Sequence, residues 1–162
     1  MTSSLYIRIN GEPRGKQRPK FTKQGRAYTP KETRQYEQEI REAALKAAAI
    51  QQYLKPPENS PVSVHITACF AVPKSYSHKK QEAAENGQIY PAKKPDADNI
   101  VKAVLDGLNG IAYHDDKQAV EVLVTKQYAR HGDPHVDVTV TTLDSQADQK
   151  GKHGTGNQSS QN

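Results

Sequence analysis

The sequence predicts an α+β fold, with one domain built on a mixed β-sheet of about four strands packed with helices. The 162 residues match one domain of ordinary size, and the 34% that are hydrophobic suffice for a single modest core. The periodic segments follow the order strand, helix, strand, short helix, helix, strand, strand, which is typical of a mixed sheet covered by helices. The domain is expected to span residues 1–144, with a polar tail after it.

A short strand and a long irregular segment open the chain. The run Leu5–Ile9 alternates well enough between apolar and polar side chains to predict a strand. Residues 12–29 are rich in Pro, Gly, Lys and Arg and have no apolar period, so they predict an extended loop. Within this loop a hairpin is expected around Lys23-Gln24-Gly25.

A long helix and an apolar strand follow the loop. Thr29 is predicted as the N-cap of the helix and Pro30 as its first residue, because proline has no N–H to leave unpaired there. The helix is expected to reach about Tyr53, and Pro56-Pro57 then stops it. The run Val62–Val72 predicts a strand whose alternate residues form one apolar face.

The second half of the chain predicts two helices and two strands. A short helix is expected within the polar residues 73–86, and a second one from about Asp98 to Leu108. Asn109-Gly110 supplies the left-handed stop for the second helix. The strands are predicted at Ala119–Tyr128 and Val136–Thr142.

Positive charge is concentrated in one segment. The formal net charge is +5 and the pI is near 9.2. The stretch from Glu12 to Arg34 holds eight basic residues against two acidic ones. Such a cluster favours a polyanionic partner, because neutralising phosphates releases their counterions. A solvated loop that only aids solubility is the plain alternative.

Cysteine content and hydropathy indicate the compartment. Cys69 is the only cysteine and lies in an apolar strand, which predicts a buried structural thiol. The sequence has no apolar stretch of transmembrane length, and residues 1–11 lack the apolar region of a signal peptide. The protein is therefore expected to be soluble and cytoplasmic, with no membrane partner. The polar composition of residues 145–162 predicts a disordered tail.

Two acidic pairs flank one predicted helix. Asp96 and Asp98 lie at its start, where extended geometry brings both carboxylates to one side, and Lys102 lies one turn past Asp98. Asp115 and Asp116 follow the helix and offer further carboxylates. Phosphodiester hydrolysis needs an activated water and stabilised charge on the phosphate. A divalent metal held by carboxylates, together with a nearby lysine, supplies both.

These residues also have ordinary structural interpretations. One aspartate of the first pair suits a helix N-cap, and the second pair is a common turn sequence. Asp98 and Lys102 form an ordinary exposed i,i+4 ion pair. Lys93 and Lys94 beside the first pair favour a site for a metal and a phosphate. The residues alone leave the choice open.

A family signature runs through the same segment. K-P-D-A-D-N-I-V-K at Lys94–Lys102, then A-V-L-D-G-L-N-G and Y-H-D-D-K-Q at Tyr113–Gln118, resembles the signature of RusA, a family of Holliday-junction resolvases. The resemblance implies a homodimeric crossover junction endodeoxyribonuclease that uses Mg²⁺, with Mn²⁺ as a substitute. Such enzymes nick opposed strands of a four-way DNA junction and leave 5′-phosphate and 3′-hydroxyl ends. It also implies a RusA-like fold.

The resemblance also assigns roles to individual residues. It places the catalytic residues at Asp96, Asp98, Lys102 and Asp116, and the metal ligands at Asp96, Asp98, Asp115 and Asp116. Basic residues in the loop and near the motif are predicted to contact DNA phosphates. These are Arg14, Lys16, Arg18, Lys20, Lys23, Arg26, Lys79, Lys80, Lys93 and Lys94.

Two other functions fit the same features. A branched-DNA-binding module would keep the basic surface and use the carboxylates only structurally. A related nuclease would use the same metal site on flaps or other branches. For a resolvase, a homodimer is attractive because a two-fold axis matches the symmetry of a junction, and the first helix is a candidate interface.

Overall fold

A four-stranded mixed sheet forms the centre of the computed structural model, which describes residues 3–144. The elements are β1 (Ser4–Asn10), β2 (Lys20–Phe21), β3 (Ala27–Tyr28), α1 (Lys31–Ile50), β4 (Val62–Phe70), α2 (His78–Glu85), α3 (Ala97–Leu108), a 3₁₀ turn (Asp116–Gln118), β5 (Ala119–Tyr128) and β6 (His135–Thr142). The sheet has the order β1-β6-β4-β5, and only β4 and β5 pair in parallel. The predicted α+β fold is therefore confirmed, and the tail at 145–162 lies outside the described residues.

Helices α1 and α3 cover one apolar face of this sheet. In β1 and β6 every second residue is buried, as in Ile7 and Val138, which pair across the two strands. Ile40 of α1 and Ile100 and Val104 of α3 are completely buried in the same cluster. Burying about two dozen apolar side chains in this layer is the main stabilising term of the fold.

The two helices approach each other closely at a glycine. A Cβ atom placed on Gly107 of α3 would lie 2.6 Å from Cγ2 of Ile40 in α1. Real Cβ atoms do not make such contacts, so glycine permits the close approach of α1 and α3. This helix pair carries the acidic and basic groups described below.

The predicted boundaries of α1 were wrong by one residue at the start and by about three at the end. The predicted N-cap was Thr29, but Pro30 occupies the N-cap position, and its carbonyl accepts the first helical bond from Arg34 N. The helix ends at Ile50 and not near Tyr53, because Gln52 adopts a left-handed conformation with φ 53°. Tyr53 N then bonds back to Ala48 O, which closes a Schellman motif.

The other elements lie close to their predicted positions. The predicted hairpin is confirmed as β2 paired with β3, and Cys69 is buried as expected. Strand β4 ends at Phe70 and not at Val72, because the next amide, Ala71 N, donates to the Glu12 carboxylate. Among residues 3–144, none of the helices combines the length and the apolar character needed to cross a bilayer.

The opposite face of the sheet carries a polar cluster centred on Asp137. Its carboxylate accepts hydrogen bonds from Tyr6 Oη at 2.8 Å and from Arg8 Nε at 2.8 Å and Nη2 at 3.0 Å. Partial burial alone would raise the pKa of Asp137, but the hydrogen bonds from Arg8 and Tyr6 outweigh it, and the pKa is lowered. Asp137 is therefore held in its charged form.

This cluster predicts a pH-dependent contribution to stability. A carboxylate whose pKa is lowered by folding stabilises the fold above its ordinary pKa of 3.8, and the contribution disappears as the pH falls through the folded value. Asp137→Asn is therefore expected to reduce the free energy of unfolding by about 1 kcal/mol at pH 7 and by less at pH 2. Urea denaturation at both pH values measures the difference, with the exposed Asp133→Asn as the control. An equal loss at both pH values would contradict the ionic interpretation.

Candidate active site and nucleic-acid interface

Asp96 lies at the start of α3, after a cis peptide bond between Lys94 and Pro95. Its backbone carbonyl accepts hydrogen bonds from Asn99 N and Ile100 N, both at 3.1 Å. Its side chain accepts no capping hydrogen bond within the described helix. The ordinary interpretation of Asp96 as a side-chain N-cap therefore does not hold, and its carboxylate remains available to a ligand.

Asp98 and Lys102 lie on the exposed surface of the same helix. Lys102 Nζ is 3.8 Å from Asp98 Oδ2, as their i,i+4 spacing predicts. Both side chains are more than 60% exposed, so the pair contributes little to stability. The two charges remain accessible to a substrate at the N-terminal end of α3.

The second acidic pair is fixed by a tightly bonded turn. Asp115 Oδ1 accepts a hydrogen bond from Lys117 N at 2.9 Å, which caps the 3₁₀ turn. Gln118 Oε1 accepts from His114 N and Asp115 N, while its Nε2 donates to Pro57 O and Ser60 O, both at 2.9 Å. The buried Gln118 thus ties the turn to the loop before β4.

The two carboxylates of this pair differ in their electrostatics. The backbone N–H of Lys117 lowers the pKa of Asp115, which favours its charged form. Burial raises the pKa of Asp116, and the neighbouring carboxyl groups of Asp115 and Asp106 raise it further. Like charges crowded in this way favour a bound cation. Asp116 is also the member of the pair whose side chain does not cap the turn.

The basic loop between β1 and β2 is held against α1 and α3. Lys16 Nζ forms an ion pair with Asp106 Oδ2 and lies 3.7 Å from Glu37 Oε1. Lys16 N donates to Asn99 O at 2.9 Å, so the backbone of the loop bonds to α3 as well. Lys16 was predicted to contact DNA, but its ammonium group interacts with carboxylates of the protein itself.

Asp96 and the basic loop share the wall of one cavity. This cavity has a volume of about 710 Å³, within the range of ligand-binding pockets. Its charged lining consists of the basic residues Arg14, Lys16, Arg18 and Lys94 and the acidic residues Asp96 and Glu32. The structure therefore brings four of the predicted DNA contacts together with one predicted catalytic aspartate.

The remaining predicted DNA contacts lie outside this cavity lining. Lys20, Lys23 and Arg26 are exposed on and between the strands of the β2–β3 hairpin. Lys79 and Lys80 lie on α2, where Lys80 Nζ is 4.0 Å from the centre of the Tyr76 ring. Lys93 Nζ lies 5.5 Å from the centre of the Phe70 ring.

Carboxylate oxygens, as in these aspartates, are the ligands that a hard divalent cation such as Mg²⁺ prefers. Among residues 3–144, no three Asp, Glu, His or Cys side chains gather into a metal-binding group. Mg²⁺ does not need such a cage, since it keeps several waters and is often bound by one or two carboxylates together with substrate phosphates. The free carboxylate of Asp96 and the raised pKa of Asp116 both fit that mode of binding.

Comparison with known proteins identifies the family. Residues 10–141 match the family described as Endodeoxyribonuclease RusA, and this range includes all the strands and helices except β1, of which it holds only Asn10, and the last residue of β6. The chain belongs to the RusA endodeoxyribonuclease family. The predicted resemblance, the predicted fold and the predicted nuclease class are thereby confirmed.

One relative of this RusA family member is a protein of Bacillus subtilis (strain 168) called uncharacterized protein YqaN. The two are 44% identical over 82 residues, which make up 49% of this chain and 56% of YqaN. The match thus spans little more than half the length of YqaN.

Three residues around the candidate site were given no role in the sequence-based predictions. Asp106 contacts Lys16 and influences the pKa of Asp116, and its position one turn after Lys102 was the only sequence signal for it. Gln118, which fixes the second acidic pair, ends the Y-H-D-D-K-Q segment of the signature but was given no role there. Glu37 was likewise missed, because its contact with Lys16 joins segments that are distant in sequence.

Proposed function

We propose that this RusA family member is a Mg²⁺-dependent endonuclease that resolves four-way DNA junctions by hydrolysing phosphodiester bonds. The main support is the Asp96 carboxylate, which accepts no capping hydrogen bond and lines a cavity that has more basic than acidic residues. A carboxylate that has no structural partner and lies beside cations can bind a divalent metal while the cations hold the phosphate of a substrate. The family match supports the same reaction class, and the products are expected to carry 5′-phosphate and 3′-hydroxyl ends.

The proposed roles follow from the position of each side chain. Asp96, Asp98 and Asp116 hold the metal, with Asp115 adjoining, and Mn²⁺ is expected to substitute for Mg²⁺. When bound, the ion supplies an activated water and neutralises charge on the phosphate. Lys102, exposed beside Asp98, donates to a non-bridging phosphate oxygen as negative charge builds up in the transition state.

DNA binding is proposed to extend from the cavity over the hairpin. The segment from Arg14 to Lys31 contains seven basic residues and no acidic ones, so it favours contacts with phosphates. Contacts of this kind position a duplex without reading its sequence. They also predict binding that weakens steeply as salt is raised.

Cleavage of defined substrates tests the proposed function. The purified protein is incubated with a labelled four-way junction, a flap and a linear duplex, each with Mg²⁺ or with EDTA. Paired and symmetric nicks in the junction, made only with metal, are expected. Tight junction binding without cleavage under Mg²⁺ or Mn²⁺ would leave a branched-DNA-binding module. Preferential cutting of the flap would favour the related branch nuclease.

We also propose that the protein acts as a homodimer formed through the edge strand β5. In the described sheet β5 pairs only with β4, and its other edge is free. Val120 and Leu123 are 64% and 55% exposed along this strand. A free edge with exposed apolar side chains favours pairing with another strand, and two antiparallel copies of β5 would be related by a two-fold axis.

A charge in the middle of this edge is expected to separate the dimer. Leu123→Lys would place two like charges in the interface and remove two apolar contacts, so the dimer Kd should rise about 30-fold or more. Sedimentation velocity over a range of concentrations measures this change. Leu45→Lys, at an equally exposed leucine of α1, is the matched control. Dissociation by Leu45→Lys alone would instead place the interface on the first helix.

A further inference from the structure

Arg14, Lys16 and Arg18 lie at every second position of the loop before the β2–β3 hairpin, and they differ in their ion-pair partners. Lys16 is neutralised by Asp106 and faces Glu37 as well. Among residues 3–144, no carboxylate lies within ion-pair distance of Arg14 or Arg18. The two arginines therefore form no ion pair within the described chain, whereas Lys16 does. Glu32, which is also in the cavity lining, accepts a hydrogen bond from Gln17 Nε2 at 3.1 Å.

The backbone between the two arginines is fixed on both neighbouring helices. Lys16 N bonds to Asn99 O of α3 at 2.9 Å, and Gln17 N bonds to Thr33 Oγ1 of α1 at 3.1 Å. A Cβ atom on Gly15 would lie 2.9 Å from the Cβ atoms of Asn99 and Pro95. The loop is thus packed too closely against α3 for any larger residue at position 15. Arg14 and Arg18 flank a segment that is held in place before any ligand binds.

Both arginines line the cavity that contains Asp96, with Lys94 on the same wall. Guanidinium groups suit phosphate especially well, because their planar N–H donors can bond two phosphate oxygens at once. The volume of about 710 Å³ is large enough for a nucleotide, and an adjoining catalytic carboxylate would place that nucleotide next to the cut. A phosphate is therefore the ligand that the charge, shape and position favour together.

We propose that this cavity is a binding subsite for the phosphate of a nucleotide that flanks the scissile bond. Arg14 and Arg18 are its phosphate ligands, and Lys16 is a positioning residue that clamps their loop between Asp106 and Glu37. This inference rests on the proposed nuclease function for the identity of the substrate. In this arrangement the two arginines bind phosphate, and the lysine between them holds the loop in place.

The subsite can be tested without any cleavage. Binding of the dinucleotide pdTpdT is measured in EDTA by NMR titration that follows the amide of Gly15, with thymidine as the phosphate-free probe. Arg14→Ala and Arg18→Ala are each expected to weaken pdTpdT binding about tenfold or more. Arg130→Ala, an exposed arginine outside the cavity lining, is the charge-matched control and should change the affinity less than twofold. Equal losses in all three variants, or no loss in the first two, would overturn the subsite.

Salt dependence separates the phosphate ligands from the positioning residue. Junction binding is measured in EDTA over a range of NaCl concentrations. Arg14→Ala and Arg18→Ala should each reduce the slope of log K against log salt by about 1, because one phosphate contact is lost. Lys16→Met should weaken binding at every salt concentration with an unchanged slope, and Lys16→Arg should restore most of the affinity. A slope reduced by Lys16→Met would make Lys16 a phosphate ligand and refute its positioning role.

The subsite and the nuclease activity can fail separately. If the wild type cuts no DNA but binds pdTpdT through Arg14 and Arg18, the subsite stands and the proposed function falls. If the junction is cut but neither Arg14→Ala nor Arg18→Ala changes the affinity for pdTpdT, only the subsite is refuted.

Discussion

Asp96→Asn is expected to abolish metal-dependent cleavage of a four-way junction while leaving its binding intact. Asparagine keeps the size of the side chain but removes the charge that a divalent metal requires. A loss of about a thousandfold is expected, equal to about 4 kcal/mol of transition-state stabilisation. Junction binding in EDTA should be equal or tighter, because one negative charge is removed from a basic cavity. Single-turnover cleavage and binding are measured on the same labelled junction.

Asp96→Asn is expected to affect the chemistry without affecting the stability of the fold. The Asp96 side chain makes no capping hydrogen bond within α3, so the melting temperature of Asp96→Asn should match that of the wild type. Asp133→Asn, at an exposed loop aspartate far along the chain from the motif, controls for a general effect of lost charge. Undiminished cleavage by Asp96→Asn would remove Asp96 from the catalytic set. Lost binding together with lost cleavage would indicate a folding defect and not a catalytic role.

Most of the fold could be predicted from local patterns. The strand at Ala119–Tyr128 was placed at its observed bounds, and α3 was placed within one or two residues. Those elements have clear periodicity and clear stops. The end of α1 was less predictable, since a left-handed Gln52 is less common than a glycine at such a position. The N-cap was misplaced by one residue, because threonine and proline are both common near the start of a helix and the sequence alone does not decide which of Thr29 and Pro30 caps it.

The site was harder to predict, because its deciding contacts join distant parts of the chain. A D-x-D sequence at a helix start fits a cap as well as a metal ligand, and only the side-chain geometry of Asp96 separates the two. The bond between Lys16 and Asp106 spans 90 residues, and that between Gln118 and Pro57 spans 61. Local patterns carry no information on such pairs. Sequence reasoning therefore grouped Lys16 with the DNA contacts.

The contact between α1 and α3 connects the fold to the site. Glu37 lies on α1 and Asp106 on α3, and Lys16 can reach both only while the two helices stay close. Gly107, next to Asp106, is the point where they touch, since its missing side chain leaves room for Ile40. A wider separation of the helices would alter the cavity as well as the core.

Gly107→Val is therefore expected to destabilise the fold strongly and to weaken the site with it. A Cβ atom at this position would lie 2.6 Å and 2.8 Å from Cγ2 and Cβ of Ile40, which is far closer than side chains can pack. Overpacking of this kind costs about 3 kcal/mol, and valine recovers little of it through helix propensity. Urea denaturation should show the loss, and the affinity for pdTpdT should fall with it as α1 moves away from α3.

A double-mutant cycle with Ile40→Ala identifies the cause of this loss. Ile40→Ala alone leaves a cavity and should cost about 2–5 kcal/mol, but it also removes the atoms that Gly107→Val would meet. Gly107→Val should therefore cost much less in the Ile40→Ala background than in the wild type. Additive losses would mean that valine at 107 acts through something other than Ile40. In that case the close approach at Gly107 would not be what holds Glu37 and Asp106 around Lys16.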